Sequence, residues 1–94
     1  PYNKLVEEEL RDLIYHAIEN LPPKRRMVYK MVKDEGLKYK EVAELLDISE
    51  RTVEVHLKIA VKELREKIKI YLEDKPQQSS LHIIKLIQIL LLTI

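Results

Sequence analysis

An all-α small helical bundle built around a helix-turn-helix is the fold class this sequence predicts, from three observations. Among 94 residues there is one glycine and no Phe or Trp, whereas Leu, Ile, Lys and Glu abound; of these, Leu, Lys and Glu are unbranched at Cβ and lose little rotamer freedom in a helix. Apolar residues recur at three- and four-residue intervals through most of the chain, the period of helices with one buried face. Between residues 37 and 65, two such runs are separated only by Asp47-Ile48-Ser49, a break that forces two helices to cross steeply.

The first helix is expected from about Asn3 to Asn20. Leu5, Val6, Leu10, Leu13, Ile14, Ala17, Ile18 and Leu21 recur at helical spacing, and Glu7, Glu8 and Glu9 lie early, where the helix dipole favours acids. Pro22-Pro23 ends it, because a residue before proline is pushed out of the α region, and Pro23 can open the next helix. The second helix should reach Lys33 or Asp34, with Met27, Val28, Met31 and Val32 as its buried stripe. Gly36 follows as a left-handed terminator. A third helix spans about Tyr39 to Leu46, where Ala43 is small enough to let its successor approach.

Ser49 is placed to cap the fourth helix, which should run to about Leu72. At about 100° per residue, Arg51, Lys58, Lys62, Arg65 and Lys69 fall on one side, with Val53, Leu57, Ala60, Leu64 and Ile68 largely opposite. A basic stripe on a helix is commonly a solvated face, and Glu54, Glu63 and Glu66 are spaced to pair within the helix. The turn in front of this helix gives the stripe its meaning: its outward side is free for the major groove of duplex DNA. Tyr15, Tyr29, Tyr39 and Tyr71 read as core-edge aromatics with wet hydroxyls.

Residues 1–75 therefore form one helix-turn-helix domain. Residues 76–80 form a polar linker, and residues 81–94 an apolar tail helix whose polar sector holds His82, Lys85, Gln88 and Thr93. Fourteen residues are too few to span a bilayer, which needs roughly 20, and one lysine gives little attraction for a membrane surface. The tail is expected to pack on the domain's own core, with self-association or a partner contact as the alternative.

A chain that is 46% hydrophobic and 35% charged suits one soluble domain with a small core. The net charge of +1 is modest for a DNA-binding protein, but the acids concentrate in the first segment while Lys24, Arg25 and Arg26 cluster. With no cysteine, disulfides and Cys-ligated zinc are excluded, which fits a reducing cytoplasm. His16, His56 and His82 lack metal-ligand spacing, and no nucleophile elbow or glycine-rich phosphate loop occurs, so neither enzyme activity nor a cofactor is expected. The start, Pro1-Tyr2-Asn3, has no apolar signal segment and no Met, and reads as part of a longer cytoplasmic chain.

Leu21-Pro22-Pro23-Lys24-Arg25-Arg26-Met27-Val28-Tyr29, Glu35-Gly36-Leu37-Lys38-Tyr39-Lys40-Glu41-Val42-Ala43, Ile48-Ser49 and Thr52-Val53-Glu54 together resemble region 4 of a bacterial sigma factor of the extracytoplasmic-function type, a helix-turn-helix domain of the winged-helix-like sort. The resemblance runs from about Val6 to Lys69. It implies binding to the promoter -35 element through the fourth helix, docking of the first helices on the β-subunit flap of RNA polymerase, and an anti-sigma factor as a further partner. Carried across by position, the groove-facing residues would be Arg51, Thr52, Glu54, Val55, His56 and Lys58, with Lys62 toward the backbone.

Lys58 can donate to guanine O6 or N7, Glu54 can accept from cytosine N4, and Val55 can meet a thymine methyl. Arg51, Thr52, Tyr39 and the Lys24-Arg25-Arg26 run suit phosphates. Three positions depart from the family pattern: Asp47 stands where glycine is usual, Lys38 where Ser or Thr caps the third helix, and Glu54 where the residue is often basic. The Lys-Glu-Val-Ala core and Thr52, Val53 and His56 also fit a LuxR-type effector domain, but the double proline and long fourth helix argue against it. An adaptor that binds only protein is the rival from another class.

Overall fold

A computed structural model describes residues 2–73 and residue 88, and it contains four helices: α1 (Tyr2–Glu19), α2 (Pro23–Lys33), α3 (Tyr39–Leu46) and α4 (Glu50–Glu73). The four helices expected within residues 1–75 are present, with ends within a residue or two of those the capping and breaking residues imply. No strand occurs among the described residues, so the helix-turn-helix there carries no wing. The expected linker at 76–80 lies outside the described residues, as does the tail at 81–94 apart from Gln88.

The longest helix organises the others. Val53, Leu57, Ala60, Leu64 and Ile68 of α4 are all buried, at the spacing that puts them on one face. Around them gather Leu10 and Ala17 of α1, Leu21 of the following turn, Val28 and Tyr29 of α2, and Val42 and Ala43 of α3. Among the described residues every buried one is hydrophobic or aromatic, so that core holds no charge that must be compensated. At the far end, the Tyr71 hydroxyl donates to the Glu9 carboxylate, tying the end of α4 to the start of α1.

The corner between α1 and α2 is closed by polar groups. Asn20 donates through both its backbone N-H and its side-chain amide to the His16 carbonyl (3.0 and 2.8 Å). Arg26 Nη1 donates to the Glu19 carbonyl at 2.6 Å, reaching back across the double proline to an acceptor that the helix itself leaves unpaired. Pro23 sits at the start of α2, where its missing N-H costs nothing. Gly36 has φ +69°, and the chain returns through Leu37, whose N-H donates to the Met31 carbonyl at 3.0 Å.

The turn between α3 and α4 is specified residue by residue. Asp47 adopts the left-handed conformation (φ 54°, ψ 50°), and the Ile48 N-H donates to the Ala43 carbonyl at 3.0 Å, closing α3 as a glycine would. Ser49 then caps α4: its hydroxyl accepts from the Thr52 N-H at 3.0 Å and hydrogen-bonds the Thr52 hydroxyl at 2.8 Å. At the start of α3, Lys38 offers no side-chain acceptor, but Glu41 supplies half of a capping box by accepting from the Lys38 N-H at 2.9 Å.

Several expectations are corrected. Tyr29 is buried, not at the core edge; burial, helped by Asp34, pushes its hydroxyl above the usual tyrosine range. Met27, expected in the buried stripe of α2, is 47% exposed, and Leu5 and Leu45 are exposed as well. Tyr29 lies at the next position to Val28 on the inward side, so α2 is rotated relative to the stripe its methionines suggested. Glu63 pairs across helices with Arg25, not with a lysine of its own helix.

Two substitutions test the turn. Ser49→Ala removes the acceptor of the Thr52 N-H and should destabilise the domain by about 1 kcal/mol, a fall in Tm of roughly 4–8 °C by circular dichroism. Asp47→Gly relieves the left-handed residue of its Cβ and should raise stability by about 0.5–1 kcal/mol in denaturant titrations.

Candidate nucleic-acid interface

The face of α4 turned away from the core begins directly after the Ser49 cap. Arg51, Val55, Lys58, Lys62, Arg65 and Lys69 are exposed along it, so the stripe inferred from spacing is a real outer surface. The side chains of Arg51 and Lys58 are 73% and 69% exposed, and both converge on one acid: Glu54 Oε1 lies 2.8 Å from Arg51 Nη1 and 3.1 Å from Lys58 Nζ. The hydrogen bond from Lys58, reinforced by its charge and by that of Arg51, holds the Glu54 carboxyl below the usual glutamate range. Glu54 is thus a shared counter-ion for two cations, an arrangement that follows from its three- and four-residue offsets.

Thr52 is half-buried and already engaged with Ser49. His56 turns toward the start of α2: its Nδ1 is shielded from solvent, and burial, then the charges of Arg25 and Lys24, push its pKa down. His56 therefore rests as a neutral ring on the flank of the outward face, beside a pair of cations.

The basic run at the start of α2 divides three ways. Lys24 is exposed. Arg25 is half-buried and donates from Nη1 to Glu63 Oε1 at 2.6 Å, bridging α2 to α4. Arg26 is turned back to the end of α1 through the Glu19 carbonyl. Two of the three cations thus have structural partners, and Lys24 remains the one with an open approach. Lys30 pairs with Glu19 at 2.6 Å, and that bond holds the Glu19 carboxyl below its ordinary range. Tyr39 opens α3 with 38% of its surface exposed.

The structure therefore brings Arg51, Glu54, Val55, Lys58 and Lys62 together on one face and sets Lys24, Arg25 and His56 on its flank. Arg26 faces away from both, and Tyr39 stands at the start of the neighbouring helix. Arg65 also belongs to the surface around the recognition face. It shares an open groove of about 390 Å³ with Leu57, Lys58, Val61, Lys62 and Glu66, and its place on the basic stripe was the signal for it. Among the described residues no cluster of three or more His, Asp or Glu is placed to hold a metal ion. No helix there is long and apolar enough to cross a membrane.

Residues 11–64 match the family described as Sigma-70, region 4. The chain is 38% identical over 53 residues to the ECF RNA polymerase sigma-E factor of Escherichia coli (strain K12), a match covering 56% of this chain and 28% of that protein. It is 34% identical over 68 residues to the RNA polymerase sigma factor FliA of Salmonella typhimurium, covering 72% of this chain and 28% of that protein. The chain thus spans little more than a quarter of the length of these curated relatives, and no solved structure matches it. The matched segment contains α2, α3, the Asp47-Ile48-Ser49 turn and the stretch of α4 that carries Arg51, Val55, Lys58 and Lys62 on its outward face. The chain belongs to the sigma-70 family, as a region 4 domain.

Proposed function

We propose that this chain is the promoter-reading module of an alternative sigma factor, binding the -35 element through the outward face of α4 and directing RNA polymerase to its promoters. The observation that carries the reading is the continuous exposed face of Arg51, Glu54, Val55, Lys58 and Lys62, on a helix held by the Ser49 cap and the α3 turn within the matched segment. In this reading Lys58, Glu54 and Val55 meet base edges, while Arg51, Thr52, Lys62, Lys24 and Tyr39 meet phosphates. Arg25 and His56 set the edge of the phosphate-binding side, and Arg26 serves the α1–α2 corner.

The Arg51-Glu54-Lys58 network gives the interface its mechanism. Free in solution, both cations are neutralised locally by one carboxylate. On DNA, phosphates take over Arg51, and Glu54 and Lys58 separate toward adjacent bases. A nonspecific duplex that offers Glu54 no donor leaves a carboxylate facing the groove unpaired, which disfavours wrong sites. Glu54 is in this way a discriminating residue more than an affinity residue.

For the polymerase, the exposed Met27 on α2 supports docking of the first helices on the β-subunit flap. It lines a groove of about 290 Å³ with Pro23, Arg26, Lys30, Met31 and Glu35, where polarizable methionines suit an apolar partner. An anti-sigma factor would use the same exposed surfaces, and the cytoplasm is where such a module works.

Selection from random duplexes, with sequencing of the bound fraction, should yield a short motif bound less tightly as salt rises; no enrichment alongside retained flap binding would make the domain an adaptor for polymerase alone. Lys58→Ala should cost about 1–3 kcal/mol on the selected motif and relax one base pair, whereas an equal loss on every sequence would make Lys58 a phosphate ligand. Glu54→Ala frees two cations: binding to random duplex should tighten and its salt dependence steepen, as read by fluorescence anisotropy at several salt concentrations.

A further inference from the structure

The outward face of α4 carries an apolar pair of which the reading above uses one member. Val55 and Ile59 are 36% and 37% exposed. Four residues apart, they lie in adjacent turns on the same side of the helix. Their neighbours on that side are the exposed cations Arg51, Lys58 and Lys62. Neither Val55 nor Ile59 belongs to the buried core or to the partly buried side chains packed against it. Side chains branched at Cβ lose χ1 freedom in a helix, so this pair is a poor choice for helix stability and gains nothing from the core. A lone exposed apolar side chain is ordinary. Two in adjacent turns, set among cations, form a small apolar ridge with positive flanks.

The chemistry of that ridge narrows what can meet it. A purely apolar protein surface would take Arg51, Lys58 and Lys62 out of water along with it and leave them without partners. The major groove of duplex DNA meets both kinds of group: phosphates take cations, and the thymine 5-methyl is the apolar group that base edges present there. The spacing agrees. Val55 and Ile59 are about 6 Å apart along the helix axis, at about 1.5 Å per residue, and base pairs stack at about 3.4 Å, so the two side chains span about two base-pair steps.

We propose that Ile59, together with Val55, is a specificity-determining residue that reads thymine 5-methyl groups, so that the target carries thymines, on either strand, within about two base-pair steps of each other. The proposal rests on DNA reading by the outward face of α4 and is independent of the base contacts given to Lys58 and Glu54. Ile59 has no hydrogen-bonding side-chain group to offer a base; its contribution is the removal of apolar surface from water on both sides of the contact. Taking one methyl out of such a contact lowers affinity about three- to fivefold.

Thymine and deoxyuridine differ by that methyl alone and pair identically, so the first test alters the DNA and leaves the full chain intact. On the motif selected from random duplexes, replacing each thymine in turn by deoxyuridine should weaken binding about three- to fivefold at two nearby positions, as read by fluorescence anisotropy, and leave it unchanged elsewhere. Ile59→Ala should erase the loss at one of these positions and keep it at the other, whereas Ile59→Val should retain both; circular dichroism checks that each variant keeps its helices. A motif whose affinity ignores every thymine methyl overturns the proposal and leaves promoter reading standing. A deoxyuridine loss that Ile59→Ala leaves unchanged at every position overturns the role of Ile59. Binding to random duplex with no motif enriched overturns the promoter-reading function and the proposal with it.

Discussion

Everything in this domain depends on the buried face of α4. Val53, Leu57, Ala60, Leu64 and Ile68 share one core with buried residues of α1, α2 and α3, and α4 is in contact with all three of those helices. A single helix that serves as hydrophobic partner to three others fixes its own rotation about its axis, since turning it would expose the whole stripe. At roughly 1.5–3 kcal/mol for each large side chain fully buried, that penalty is comparable to the whole net stability of a small domain. The direction in which Arg51, Val55 and Lys58 point is thus set by residues on the opposite side of the same helix.

Much of this was legible before any coordinates. Pro22-Pro23, Gly36 and Ser49 mark helix ends through backbone chemistry that neighbours cannot override, and the buried stripe of α4 follows from spacing alone. What spacing could not give was the rotation of α2. Met27, Val28, Tyr29, Met31 and Val32 cover more of the helix circumference than one packing face can use, and only the fit against α4 chose Val28 and Tyr29 for the interior and left Met27 outside. The partners of Arg25 and Arg26 were hidden for the same reason. A run of three cations looks uniform along the sequence, but a helix sends consecutive residues about 100° apart, so one bridges to Glu63, one returns to Glu19 and one stays open.

The candidate interface shows a similar division. Position on the outward face was readable from periodicity, whereas neutralisation of Arg51 and Lys58 by Glu54 depends on which rotamers meet. Surface ion pairs of this kind contribute little to stability, and their importance here lies in what they withhold. Cations that already have a partner attract DNA less strongly at long range, so more of the binding free energy comes from contacts made at close range, where sequence can be distinguished.

The buried and outward residues of α4 are disjoint sets, and the turn that aims the helix contains no groove-facing residue. One side can therefore change while the scaffold is left alone: positions 54, 55 and 58 lie outside the buried set of α4 and outside the Asp47-Ile48-Ser49 turn. On the proposed reading of that face, an evolving lineage of such domains would acquire a new target by a few surface exchanges without passing through unstable intermediates. Divergence of promoter preference is then limited by the need to co-evolve binding sites in the genome, and not by the folding of the protein.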